Sequence, residues 1–261
     1  MPYGKEYQNN RESRAALAAR HTEEMERVYG REIQDAIAQT KIYDVDFVGG
    51  GAHICEGKIT LEASDSVSAI LKAAESCERP MAALNFSSFK NPGGGFIGGS
   101  RAKEECLCHE SFLYNVLSQM TEKFYDWNNR NTNRTLYLNR GMYTPGVVFI
   151  RDGKRAACDV ITCAAPNFSA AHRNQNVSRE ENSKALRGRI RFVLDIAAEN
   201  RVRTLILGAY GCGVFGQDAG EVARIFKEYL ENGYKCFERV IFAIPEGKDG
   251  NYRAFAKVWG A

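Results

Sequence analysis

The chain has 261 residues, of which 44% are hydrophobic and 26% charged, and its net charge is +3. The length allows a sizeable core, the composition is that of a globular protein, and the small charge gives no electrostatic case for nucleic-acid binding. No apolar run approaches the roughly 20 residues that span a bilayer, and the charged N-terminus lacks a signal peptide's apolar core, so we expect a cytoplasmic location without membrane association.

Apolar residues at helical spacing predict that the first 40 residues are helical. Beyond them, helices and short apolar strands alternate. The predicted helices cover 64–77, 102–120, 181–200 and 219–232, with a short helix at the end of the chain. The predicted strands cover 41–48, 57–63, 81–88, 142–151, 158–167, 203–211 and 237–245.

Continuous apolar strands that alternate with helices indicate a layered α/β sheet with both faces covered. We therefore predict a helical extension, residues 1–40, packed on a single compact unit, residues 41–261. Two strands, 81–88 and 203–211, run into glycine-rich loops. Both loops should meet at one edge of the sheet, which is where open α/β sheets bind ligands.

The first glycine loop, residues 91–99, reads NPGGGFIGG, with five glycines in its last seven positions. A simple turn needs fewer. Glycine lets backbone N–H groups face a ligand without an intervening Cβ and tolerates positive φ. A phosphate or diphosphate is the usual ligand of such a loop.

The second glycine loop, residues 208–216, reads GAYGCGVFG, so it carries an aromatic residue among its four glycines. One or two glycines in such a turn often serve packing alone, but four favour a binding function. No Gly-Lys-Ser/Thr sequence completes a P-loop, and no dinucleotide fingerprint follows the first strand. The loops therefore predict a phosphate-bearing ligand without an NTPase or Rossmann mechanism.

Glu104 and Glu105 follow the first glycine loop at the start of a predicted helix. Acidic residues commonly occupy a first helical turn because the helix dipole stabilises them. Their position directly after a phosphate loop favours a functional site instead. Adjacent helical residues point about 100° apart, so we expect that the two glutamates do not face one atom and that they have separate roles.

The eight cysteines are scattered among apolar segments, which is typical of reduced thiols in a cytosolic protein. The sequence Cys-Leu-Cys-His at 106–109 lacks a second ligand pair at zinc spacing, and on a helix its side chains diverge. We predict no metal site and no cofactor.

The segments LNFSSFKNPGGGFIGGSRAKEE and LGAYGCGVFGQD resemble the microbial-type poly(ADP-ribose) glycohydrolases, a family of macrodomain enzymes. The family signature is a glycine triplet followed, after a short gap, by Gln-Glu-Glu. Segments near the N-terminus, in the centre and near the end resemble the family as well, so the resemblance covers nearly the whole chain. It implies a macrodomain-like α/β fold, in which a mixed sheet lies between two layers of helices, with the N-terminal helical extension packed on this core.

The resemblance also implies roles for individual residues. Glu105 is implied to be the general acid, Glu104 to hold the distal ribose by its hydroxyls, and Asn91 to bond to the same ribose. The diphosphate is implied to lie along Gly93, Gly94 and Gly95, and the opposing wall to consist of Gly211, Gly213, Val214 and Phe215.

The chain departs from the family signature at one position, where Lys103 replaces glutamine. A lysine that points into the cleft would stabilise the ionised form of a neighbouring glutamate or meet an anionic part of the substrate. A lysine that points to solvent would have little effect. The substitution leaves the acid in place but keeps both polymeric and mono-ADP-ribosylated substrates open.

The resemblance implies an ADP-ribosyl glycohydrolase that cleaves the bond at C1″ of the distal ribose. The expected partners are ADP-ribose and ADP-ribosylated protein, polymer or nucleic acid, and we expect a monomer. The alternative is a macrodomain that binds ADP-ribose without cleaving it. Such a reader would keep both glycine loops but would not need the glutamate pair.

Overall fold

The computed structural model describes residues 11–49, 57–76 and 80–260. Its strands are β1 (Lys41–Tyr43), β2 (Lys58–Glu62), β3 (Met81–Phe86), β4 (Gly141–Arg151), β5 (Lys154–Cys163), β6 (Thr204–Leu207) and β7 (Arg239–Ala243). Its α-helices are α1 (Arg11–Gln39), α2 (Ser66–Ala74), α3 (Lys103–His109), α4 (Leu113–Gln119), α5 (Asp126–Arg130), α6 (Phe168–Gln175), α7 (Arg179–Glu199), α8 (Ala219–Asn232) and α9 (Asn251–Trp259). A π-helical turn at Thr121–Tyr125 and a 3-10 turn at Asn133–Thr135 complete the helical segments of the described residues.

The seven strands of the described chain form one mixed sheet in the order β1-β4-β5-β3-β6-β7-β2. Strand β4 is antiparallel to both of its neighbours, and all the other pairings are parallel. Strands β3 and β6 at the centre are almost entirely buried, as expected for parallel strands covered on both faces.

Helices cover both faces of the sheet. One apolar core joins the sheet to α1, α2, α3 and α4, and a second core joins it to α7, α8 and α9. This three-layer arrangement confirms the predicted α/β class with a mixed sheet between helices. Helix α1 lies against α4 and β4.

The predicted single helix over 102–120 is wrong because the chain breaks between α3 and α4. Ser111 forms an isolated antiparallel bridge with Phe149, and the Ile150 N–H donates to the Glu110 carbonyl at 2.8 Å. The Ser111 hydroxyl then accepts a hydrogen bond from the N–H of Leu113, the first residue of α4. Pairing with the distant strand β4 therefore overrides the local helical pattern.

Other boundaries also differ from the prediction. The strand predicted at 41–48 ends at Tyr43, and β5 begins at Lys154 because it forms a hairpin with β4. Helix α6 and the helical turns between residues 121 and 135 were not predicted.

Six cysteines lie in the described part of the chain and are free thiols, whereas Cys55 and Cys77 lie outside it. Within the same residues, no helix is long and apolar enough to cross a membrane.

Candidate active site

The two glycine loops leave neighbouring strands at the same edge of the sheet. The first follows β3 and the second follows β6, which pairs with β3 in parallel. Together with the start of α3 the loops line a cleft of about 450 Å³. The prediction that both loops meet at one edge is confirmed.

Most of the predicted site residues line this cleft: Asn91, Gly94, Glu104, Glu105, Gly211, Gly213, Val214 and Phe215. The other two lie in the first glycine loop beside the cleft. Gly93 is buried, and a Cβ built on it would lie 2.7 Å from the ring of Tyr114. Gly95 directs its backbone N–H toward Glu105 at 2.9 Å.

Glu104 is buried and bonded on both carboxyl oxygens. Its Oε2 accepts a 2.6 Å hydrogen bond from the Ser88 N–H, and its Oε1 accepts a 3.1 Å bond from Asn85 Nδ2 at the end of β3. Only 3% of the residue is exposed. Burial raises the pKa of Glu104 to about 8, because desolvation outweighs the two bonds that favour the ionised form.

Glu105 is also buried, and its carboxyl group reaches the same place as that of Glu104. A Cβ built on Gly94 would lie 2.8 Å from Glu105 Oε1 and 3.1 Å from Glu104 Oε2. The expectation that the two side chains cannot face one point is therefore wrong, because a glutamate's three rotatable bonds compensate for the divergence at the helix surface. Their hydrogen-bond partners nevertheless differ.

Replacing Glu104 with Gln should change how stability depends on pH. The folded-state pKa of Glu104, about 8, lies above its ordinary value of 4.5, so the folded protein holds this proton more tightly than the unfolded chain. The stability that this proton contributes is fully present below pH 4.5 and is lost as the pH rises through 8. We therefore expect the melting temperature of wild type to fall relative to Glu104→Gln between pH 5 and pH 8.

The control for this experiment is Glu23→Gln, because Glu23 is an exposed residue of α1. The melting temperature of this variant should change with pH in the same way as that of wild type. If the melting temperatures of wild type and Glu104→Gln changed with pH in the same way, Glu104 would be ionised at neutral pH and the prediction would be contradicted.

Lys103 begins α3 and points into the cleft, but away from the two glutamates. Its ammonium lies 4.7 Å from the ring centroid of Phe86. Burial lowers the pKa of Lys103, and the nearby Cys212 and Asp249 oppose this shift. Within the described residues no hydrogen bond or ion pair joins Lys103 to Glu104 or Glu105. The lysine side chain thus lines the cleft beside Phe86.

Aromatic rings also line the cleft, among them those of Tyr137 and Phe215. Tyr137 stacks on Phe89 with ring centroids 4.2 Å apart, and Phe215 of the second glycine loop meets Tyr137 edge-on at 6.1 Å. Val214 beside it is 83% exposed. The half-buried Phe215 is therefore held against a fixed aromatic surface, whereas Val214 is free to contact a ligand.

Sequence reasoning missed several residues of the site, among them Asn85, Ser88 and Tyr137. Asn85 is a fully buried polar residue in an otherwise apolar strand, which is a signal that the sequence did contain. Tyr137 adopts a positive φ of 61° in a segment without helical or strand periodicity, and no sequence pattern marks it.

Comparisons with known proteins agree with the fold described above. A family model for the catalytic domain of microbial-type PARG matches residues 7–152. A crystal structure of poly(ADP-ribose) glycohydrolase (PARG) from Thermomonospora curvata is 31% identical, with a TM-score of 0.87, and the match covers 95% of this chain and all of that one. The same enzyme bound to the inhibitor ADP-HPD is 30% identical, with a TM-score of 0.83, over 95% of this chain and 99% of that one.

The Deinococcus radiodurans enzyme in complex with ADP-ribose is 32% identical, with a TM-score of 0.78. This match covers 87% of the present chain and 96% of the other. Comparison with curated proteins finds no match.

Proposed function

Because the chain belongs to the microbial-type poly(ADP-ribose) glycohydrolases, we propose that its cleft binds an ADP-ribosyl group and hydrolyses the glycosidic bond at C1″ of the distal ribose. One observation carries this proposal. Two buried carboxyl groups converge on Gly94, in a cleft whose walls are two glycine-rich loops. A module that only bound ADP-ribose would have no need for this convergence.

In the proposed mechanism Glu105 is the general acid. The Gly95 N–H binds Oε1 and fixes the carboxyl group, and the other oxygen protonates the departing group at C1″. Positive charge develops on the ribose as the bond breaks, and the diphosphate of the ligand stabilises it. A water molecule then attacks C1″ while Glu105 acts as the base.

Glu104 is proposed to hold the distal ribose. Its raised pKa, about 8, keeps it largely protonated at neutral pH. A neutral carboxyl group can both donate to and accept from the hydroxyls of a ribose. The Asn85 and Ser88 bonds hold the carboxyl group in place, and Asn91 at the cleft is proposed to contact the same ribose.

The diphosphate is proposed to lie between the two glycine loops, along Gly93, Gly94 and Gly95 on one side and Gly211 and Gly213 on the other. Val214 and Phe215 would then cover the distal ribose. Polymer, protein-linked and nucleic-acid-linked ADP-ribose all remain proposed substrates. Three further proposals come from the sequence. They are a helical extension over residues 1–40 packed on a single unit over residues 41–261, a monomeric state and a cytoplasmic location.

The decisive experiment incubates the protein with poly(ADP-ribose) and, separately, with mono-ADP-ribosylated proteins, and measures released ADP-ribose by chromatography. We expect release from polymer at a rate proportional to the enzyme concentration. Release from the mono-ADP-ribosylated substrates would extend the substrate range. Binding of ADP-ribose by calorimetry without release from any substrate would support the reader alternative and overturn the hydrolase proposal.

A further inference from the structure

Helix α1 contacts the end of the first glycine loop through two arginines. Arg11 Nε donates a 2.8 Å hydrogen bond to the Gly98 carbonyl, and Arg14 Nε donates a 2.8 Å bond to the Gly99 carbonyl. A guanidinium donor makes these bonds stronger than bonds between neutral groups. Arg14 is half-buried and Arg11 is exposed, so Arg14 provides the firmer of the two contacts.

The loop backbone lies directly on the helix backbone at Gly99. A Cβ built at this position would lie 2.3 Å from the Arg11 carbonyl oxygen and 3.0 Å from the Ala15 nitrogen. Its φ of +70° also favours glycine. The close approach means that the end of the loop cannot move toward α1, while the two arginines prevent it from moving away.

A short series of contacts leads from this anchored segment to Glu105. The Ser100 N–H, next to Gly99, donates to the Gly95 carbonyl at 3.0 Å. The Gly95 N–H in turn donates to Glu105 Oε1 at 2.9 Å. Phe96, the residue after Gly95, is buried, and its ring packs against His109 of α3 with ring centroids 4.5 Å apart.

Helix α1 also contacts the chain on the other side of α3. His21 Nε2 donates to the Ser111 carbonyl at 2.9 Å, just after α3 ends. Asn115 Nδ2 of α4 donates to the Thr22 carbonyl of α1 at 3.0 Å. The short helix that carries both glutamates is thus flanked by two backbone segments that α1 holds.

From these contacts we propose that Arg11 and Arg14 are positioning residues for catalysis. They hold the end of the first glycine loop so that the Gly95 N–H keeps the Glu105 carboxyl group aimed at C1″. This inference rests on the proposed function. It assigns the N-terminal helix a part in catalysis although, among the described residues, neither arginine lines the cleft.

The test compares Arg14→Ala with Arg20→Ala. Arg20 is an exposed arginine on the same helix and serves as the matched control. We expect Arg14→Ala to lower kcat about 10-fold, since misplacing a catalytic group by about 1 Å can cost 10²-fold in rate. The dissociation constant of ADP-ribose should stay within about twofold of the wild-type value. The reason is that the backbone hydrogen bonds from Gly94 to Asn91 and from Phe96 to Gly93 hold the ligand-facing part of the loop.

Calorimetric titration with ADP-ribose gives the number of binding-competent molecules and separates positioning from misfolding. A kcat loss that only matches a loss of binding sites would indicate a purely structural role and overturn the inference. Arg14→Lys retains a cationic donor and should recover part of kcat, which makes the test independent of how well the alanine variant folds.

Equal kcat values for Arg14→Ala and Arg20→Ala would also overturn the inference, while leaving the hydrolase proposal intact. A wild-type protein that releases no ADP-ribose would instead reject the proposed function itself. The two failures are therefore distinguishable in one set of assays.

Discussion

Replacing Glu105 with Gln should lower turnover by about 10²–10⁴-fold, the usual contribution of a positioned general acid. Glutamine has the same shape but no transferable proton. The Gly95 N–H that now binds Glu105 Oε1 can still donate to the amide oxygen of the variant, so the loop should keep its structure. ADP-ribose affinity should change little. The measurements are kcat on polymer and the calorimetric dissociation constant of ADP-ribose.

Glu104→Gln is the informative comparison, because the Glu104 carboxyl group also lies beside Gly94 and holds its proton at neutral pH. If Glu104 binds the ribose, its replacement should weaken ADP-ribose binding as well as turnover. Full activity in Glu105→Gln together with a large kcat loss in Glu104→Gln would transfer the role of acid to Glu104. The exposed Glu23→Gln should match wild type in both measurements.

The parts of the fold that the sequence predicted well are those that local patterns determine. Helix α8 lies where its periodicity placed it, with Asp218 as the N-cap. Strands β3 and β6 were predicted from apolar runs that lead into glycine-rich loops, and they are parallel neighbours. The break between α3 and α4 was missed because it depends on pairing between Ser111 and β4, a contact that a local pattern does not contain.

The same division applies to the candidate site. The glycine loops and the glutamate pair were visible as composition and spacing. The residues that hold them, Asn85, Ser88 and Tyr137, act through contacts with residues that are distant in sequence or through an unusual backbone conformation. The convergence of the two carboxyl groups on Gly94 was also not predictable, because it depends on side-chain torsions rather than on helical spacing.

Replacing Gly94 with Ala should disable the enzyme while leaving it folded. Gly94 has a φ of +61°, where an L-residue costs about 1–2 kcal/mol, a modest part of the stability of a domain. The added Cβ would lie 2.8 Å from Glu105 Oε1, at the movable end of a side chain, so the carboxyl group can yield. It would then lose its bond to the Gly95 N–H and turn away from the substrate.

We therefore expect turnover by Gly94→Ala to fall about 10²-fold or more, which is the loss expected when a catalytic group is displaced by about 1 Å. ADP-ribose should also bind more weakly, because the added methyl group enters the cleft. The matched control is Gly188→Ala, since Gly188 lies in α7 and a Cβ there would have Asn139 Nδ2, at 3.8 Å, as its nearest neighbour among the described residues outside that helix. That variant should keep full activity. Turnover and affinity of Gly94→Ala equal to those of Gly188→Ala would mean that the carboxyl group of Glu105 can move without loss of catalysis. The convergence of the two glutamates on Gly94 would then not be the feature that makes this cleft an active site.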